Sequence, residues 1–189
     1  MFIYLLLCIV LNYIAAIRVK KIAESRLDHP YKPLPDIIHD CEYIPEINTH
    51  IPDYILGITG IITLIKYIYY PSYTNFYLNF KILIYSLLLR SISISLTVIP
   101  TCLSKPINNN IYSELFTSTH DLIFSGHTIV FIFLGKILNE GPEYIYLYIL
   151  SLFVQICLPF TLILARQHYS FDVLYSMIVY NFFYLYLNK

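Results

Sequence analysis

The stretch YIYLYILSLFVQICLPFTLILA, Tyr144–Ala165, contains no charged side chain. It is long enough to cross about 30 Å of hydrocarbon as a helix. Five further apolar runs surround it in the chain, each bounded by Pro, Asn, Gly or charge. Spans are therefore expected at about Phe2–Ile17, Tyr54–Tyr70, Leu78–Ile99, Leu122–Leu138, Tyr144–Ala165 and Val173–Leu187. With 58% hydrophobic and 13% charged residues, the chain has more apolar surface than a soluble domain of 189 residues could bury. The fold expected is all-α: one integral membrane bundle of six transmembrane helices, residues 1–189, with nothing left over for a soluble domain.

The first run could be taken for a signal peptide. It lacks a basic region before it, however, and Arg18, Lys20 and Lys21 follow it, so an uncleaved anchor is the expectation. Twelve basic residues balance twelve acidic ones, which points to neither nucleic acid nor an acidic partner and leaves lipid head groups open. Cys8 and Cys157 fall inside spans. Cys41 and Cys102 fall in loops on one side, where pairing would need an oxidising lumen, and no spacing pattern supports a disulfide. No internal repeat or heptad is present. Tyr146, Tyr148, Tyr184 and Tyr186, near span ends, read as interface or packing residues.

Counting six spans puts the long loops Arg18–Asp53 and Pro100–Asp121 on one face, together with the short loop Arg166–Phe171. Pro71–Tyr77 and Asn139–Glu143 turn the chain on the opposite face. Polar chemistry is thereby collected on one side, where every even-numbered helix begins.

Two segments there carry chemistry. Asp121-Leu-Ile-Phe-Ser125-Gly126-His127-Thr128 places small and polar residues where the third loop becomes the fourth helix. A helix start offers unpaired N–H groups and a positive dipole end, Gly126 allows close backbone approach, and His127 sits in the first turn, all suited to an anionic phosphate. Read alone, it is equally an ordinary helix start with Ser125 as N-cap. Ala165-Arg166-Gln167-His168-Tyr169-Ser170-Phe171-Asp172 opens the sixth helix. On a helix His168 and Asp172 share a face, so the carboxylate can hold one imidazole nitrogen and raise the basicity of the other.

The two helix starts lie on one face, so His127 and His168 can meet, and converging ionisable residues at a membrane boundary suggest a functional site. Two histidines and an aspartate are also plausible zinc or manganese ligands, although a Ser-Gly-His helix start favours phosphate over a cation. Arg90, deep in the third run, needs a carboxylate partner or a phosphate to hold with its forked donors. Arg166 beside His168 is either a phosphate contact or an interfacial anchor.

These residues resemble the sphingomyelin synthase-related family, distantly related to type-2 phosphatidic acid phosphatases. Lys32-Pro-Leu-Pro-Asp36 resembles that family's Pro-Pro-Leu-Pro-Asp loop, and Arg90, Thr97 and Pro100 its arginine-containing third-span motif ending in Pro. Asp121 to Thr128 resembles its Cys-Gly-Asp-x-x-x-Ser-Gly-His-Thr, and His168 to Val173 its His-Tyr-Thr-x-Asp-Val. The likeness runs from about residue 20 to 185. Thr119 and His120 stand where Cys-Gly is usual, Lys32 replaces a Pro and Ser170 a Thr. Arg166-Gln167 before His168 is more similar to inositol phosphorylceramide synthases than to sphingomyelin synthases, which carry His with an acidic residue there.

The resemblance implies a lipid-phosphatase-like core and a two-step transfer with no cofactor. His168, oriented by Asp172, attacks the phosphorus of a donor phospholipid, and ceramide then takes the phospho-head group, with His127 moving the proton in both steps. It makes Arg90, Asp121, Ser125, Gly126 and Arg166 candidates to bind phosphate or substrate. The partners implied are a phospholipid donor, a ceramide acceptor and the bilayer. A hydrolase using water as acceptor, and a non-enzymatic lipid-handling protein, are the competing readings. Lys and Arg counting would put the catalytic face in the cytosol. The resemblance implies a Golgi or endoplasmic reticulum membrane with the site facing the lumen, which is the expectation adopted because the first loop is long and rich in carboxylates.

Overall fold

The computed structural model describes residues 2–26, 33–41, 43–100, 122–140 and 144–188, and for Tyr73 and Thr74 the backbone alone. Among these residues the secondary structure is helical, without strands. Six helices follow one another: α1 Phe2–Arg26, α2 Ile51–Tyr69, α3 Tyr73–Leu96, α4 Gly126–Leu138, α5 Ile145–Leu164 and α6 Ser170–Leu187. Four of them, α1, α2, α3 and α5, are long and apolar enough to cross a membrane, which is compatible with a multi-pass membrane protein. The expectation of six crossings is thus matched by four on length and composition. Helix α4 has 13 residues, about 20 Å of rise, and α6 carries Asp172 and Asn181 among its apolar residues.

Helix α1 outlasts its apolar run by several residues. Cys8, Asn12, Ala15, Ala16, Val19 and Ala23 recur at helical spacing and are buried, so the stripe that packs on α3 continues past Ile17 into the basic segment. A polar seam joins the two helices: Asn12 Nδ2 donates to Leu87 O at 2.9 Å, and Asn12 Oδ1 accepts from Arg90 at 2.6 Å.

Helix α4 is short because it is the centre of the bundle. It touches α2, α3, α5 and α6, and residues on all of its sides are buried, among them Thr128, Ile129, Phe131, Ile132 and Phe133. A helix wrapped by its neighbours need not satisfy a lipid boundary by itself. The outer helices show the complementary pattern: Ile58, Ile61, Leu64, Ile65 and Ile68 of α2 and Ile178, Phe182 and Leu185 of α6 are exposed apolar side chains of the kind that face acyl chains.

The run Tyr144–Ala165 is not one uniform helix. A π-turn, Phe153–Cys157, interrupts α5 immediately before Leu158 and Pro159. Proline has no N–H to donate, and its ring crowds the carbonyl four residues back, so an extra residue in the preceding turn relieves the conflict. Helix α4 meets this region closely. A Cβ on Gly135 would come within 2.4 Å of Gln155 Cγ and 3.0 Å of Ser151 O, so only glycine fits this crossing.

The remaining cysteine and motif expectations divide by location. Cys41 carries a free thiol, while Cys102 lies outside the described residues, as do Lys32, Thr119, His120 and Asp121.

Candidate active site

Helix α4 begins at a turn. Ser125 caps it, its Oγ accepting from Thr128 N at 3.2 Å, while Ser125 N donates to Ser176 Oγ at 2.7 Å. Ser176 Oγ in turn donates to Asp172 O at 2.7 Å, so the start of α4 is tied to the first turns of α6. That connection brings the histidines together: the His127 and His168 rings have centroids 6.5 Å apart.

His168 precedes α6 instead of riding on its face. The chain leaves α5 through a reversal in which Arg166 adopts φ 52°, a left-handed conformation uncommon outside glycine. Backbone bonds from Gln167 N at 3.0 Å and His168 N at 3.4 Å to Leu162 O close the turn. Ser170 then opens the helix. The spacing of four still brings the pair together, because Asp172 Oδ2 folds back to accept from Tyr169 N at 3.1 Å and so stands 3.4 Å from His168 Nδ1. Both side chains are buried. At 3.4 Å the contact is an ion-pair separation, longer than a formed hydrogen bond.

His127 has a carboxylate of its own. Asp53 in the first turn of α2 places Oδ1 3.0 Å from His127 Nε2, with both side chains half-buried. Asp53 was absent from the residues singled out by sequence. The available signal was topological: Asp53 follows Pro52 at the start of an even-numbered helix, by the same counting that collected the histidines.

Arg90 reaches the start of α4 from α3. Its Nε donates to Phe124 O at 2.9 Å, and the guanidinium lies against Gly126, where a Cβ would stand 3.2 Å from Nε and 3.4 Å from Cζ. The glycine is thus explained by close approach to an arginine. Ile123, just before Phe124, has φ 135°, a strained value for a β-branched residue, at the turn that directs the Phe124 carbonyl to Arg90.

Arg166 turns toward the first loop. Its Nε lies 2.9 Å from Glu46 Oε2 and its Nη2 donates to His39 O at 3.1 Å. The motif residue Asp36 also clamps this loop to α6: its carboxylate accepts from Ser170 N at 2.8 Å, Ser170 Oγ at 2.7 Å, Ile38 N at 3.0 Å and His39 N at 3.2 Å. Burial pushes the Asp36 carboxyl up, yet the hydrogen bonds from Ser170, His39 and Ile38 outweigh it and hold it below the ordinary carboxylate range. Tyr169 completes the clamp, its hydroxyl accepting from Leu34 N at 2.8 Å and donating to Pro100 O at 3.1 Å.

The structure therefore brings together His127, His168, Asp172, Ser125, Gly126, Arg90 and Asp53, and sets Arg166 to one side in the loop clamp. Asp121 lies outside the described residues. Among the described residues, no three His, Cys, Asp or Glu side chains form a group that could hold a metal ion. Two imidazoles, each beside its own carboxylate and near an arginine and a helix start, can move protons and meet a phosphate.

A search among curated proteins finds no significant match. Residues 119–189, from the third loop through α4, α5 and α6, match the family described as PAP2 superfamily C-terminal, a segment that holds both histidines and Asp172 and supports a relation to the type-2 phosphatidic acid phosphatase superfamily.

Proposed function

We propose that the protein is a membrane lipid phosphotransferase that moves a phospho-head group from a glycerophospholipid to the primary hydroxyl of ceramide. The observation that carries this reading is the pairing of two adjacent histidines with separate carboxylates, His168 with Asp172 and His127 with Asp53. Asp172 beside Nδ1 leaves His168 Nε2 as the nucleophilic nitrogen. That nitrogen forms a bond to phosphorus as the bond to the diacylglycerol oxygen breaks, and His127 gives the leaving oxygen its proton. His127 then takes the proton of the ceramide hydroxyl, whose oxygen displaces His168 from phosphorus. Splitting the transfer in two lets one pocket serve both lipids in turn. Arg90 and the Gly126 N–H at the start of α4 meet the phosphate charge. The resemblance to sphingolipid synthases supports a Golgi or endoplasmic reticulum membrane as the location, with the site facing the lumen.

The test is incubation of purified protein with labelled ceramide and, separately, choline, ethanolamine or inositol phospholipids. A labelled phosphosphingolipid and an equal amount of diacylglycerol are expected. The superfamily match of residues 119–189 favours one second reading, a lipid phosphatase in which water replaces ceramide. Release of free phospho-head group or phosphate that added ceramide does not divert would establish that reading.

A further inference from the structure

At the end of the bundle away from the histidines, the start of α3, the end of α4, the first turns of α5 and the end of α6 surround a cavity of about 900 Å³. Among the described residues, two charged side chains line it, Glu140 and Lys136. Glu140, just past the end of α4, is 7% exposed, and its Oε1 accepts from Asn79 Nδ2 at 2.6 Å. Its other oxygen, Oε2, and Asn79 Oδ1 have no hydrogen-bond partner among the described residues. Lys66 is nearby, but its ammonium donates to the backbone carbonyls of Ile137, at 2.7 Å, and of Glu140. The Lys136 ammonium stands 4.1 Å over the Tyr184 ring. The cavity thus pairs a carboxyl end, where Glu140 Oε2 and Asn79 Oδ1 are left without a donor, with a separate cationic end.

We propose that this cavity binds the head group of a zwitterionic phospholipid with a primary ammonium, the ammonium against Glu140 and Asn79 and the phosphate against Lys136. A buried acceptor left without a donor is costly, and an ammonium supplies both charge and donors. A quaternary ammonium has charge but no N–H, so it leaves both oxygens unmet. The same ammonium and phosphate could come from a soluble phosphoamine, but the cavity wall continues through Ile145 and Leu152 onto the exposed apolar surface of α5, a face suited to acyl chains. The site is independent of the reaction proposed for the histidines.

The experiment is native mass spectrometry of the protein released from bilayers containing phosphatidylethanolamine, phosphatidylcholine and phosphatidylglycerol in equal amounts. Wild type is expected to retain phosphatidylethanolamine at least fivefold over the other two. The isosteric Glu140→Gln should bring the three close to parity, and Lys136→Gln should lower retention of all three while preserving their order. Equal retention of phosphatidylethanolamine and phosphatidylcholine by wild type, a comparison that needs no variant, overturns the proposal. So does an undiminished preference in Glu140→Gln. Millimolar O-phosphoethanolamine should leave the retained lipid in place; its displacement of the lipid would overturn the assignment to a membrane ligand.

Discussion

Asp53 Oδ1 lies 3.0 Å from Nε2 of His127, joining the first turn of α2 to the first turn of α4 across 74 positions of sequence. The contact gives the second histidine the same kind of partner that Asp172 gives the first. A carboxylate on one imidazole nitrogen fixes the tautomer and the orientation of the ring, so Asp53 is suited to hold His127 in position for proton transfer.

Replacing Asp53 with Asn keeps the size of the side chain and removes the charge. Turnover should fall about 10- to 100-fold, the usual cost of removing a partner that orients a working side chain. The pH–rate profile should change as well, because the carboxylate that faces the His127 ring is gone. A variant with unchanged turnover and pH profile would show that Asp53 only holds α2 against α4.

His168→Ala should abolish transfer, a loss of about 10³-fold or more, while the protein still inserts and elutes as a folded species. Asp172→Asn should be milder, about 10- to 100-fold, because an amide oxygen can still accept from Tyr169 N and keep the start of α6 in place. Diacylglycerol release in a single turnover reads both. Near-normal release by His168→Ala would remove it from the role of nucleophile.

Gly135 offers a test of packing apart from chemistry. Its added methyl would collide with Gln155 Cγ and the Ser151 carbonyl. Overpacking costs about 1–3 kcal/mol, against a gain of roughly 1 kcal/mol for alanine over glycine within a helix. Gly135→Ala should therefore lower the thermal midpoint in detergent. Gly57→Ala, where nothing lies within 4 Å of the new methyl, should leave it level or raise it.

Glu140 predicts a pH dependence of stability. Burial pushes its carboxyl from 4.5 up to about 7, against the opposing effects of the Asn79 hydrogen bond and the Lys66 charge. A pKa raised by folding means that the protonated carboxyl stabilises the native state. Its contribution is complete below about pH 4.5 and is lost as pH rises through about 7. The loss is on the order of 3 kcal/mol. Thermal unfolding in lipid-free detergent should show the midpoint falling between pH 5 and pH 8, and Glu140→Gln should flatten that fall. Identical pH profiles for the two proteins would refute the assignment.

The helices themselves were largely legible, with their ends less so. Apolar runs marked all six segments, since an apolar run of that length has few places to fold except as a helix in lipid. The ends moved where local chemistry intervened: α1 extended through Arg26 on a stripe of small buried residues, and α4 began only after the Ser125 cap. The π-turn in α5 had a visible cause in Pro159, but proline alone does not say whether a helix kinks, bulges or stops.

The Ser-Gly-His and His-x-x-x-Asp segments could be picked out from the sequence by itself, because residues close along a helix start must also be close in space. Counting spans along the sequence likewise led to the expectation that the polar loops gather on one face. Tertiary structure alone decided that Asp53 meets His127, that Arg90 lies under Gly126, that Arg166 turns to Glu46, and that Glu140 is buried beside Asn79. The physical reason is the solvent. In a membrane bundle, side chains facing lipid and side chains facing other helices are both apolar, so hydrophobic periodicity does not reveal how each helix is rotated about its axis. Contacts such as Asp53–His127 depend on that rotation, which is set by interhelical packing at residues such as Gly126 and Gly135.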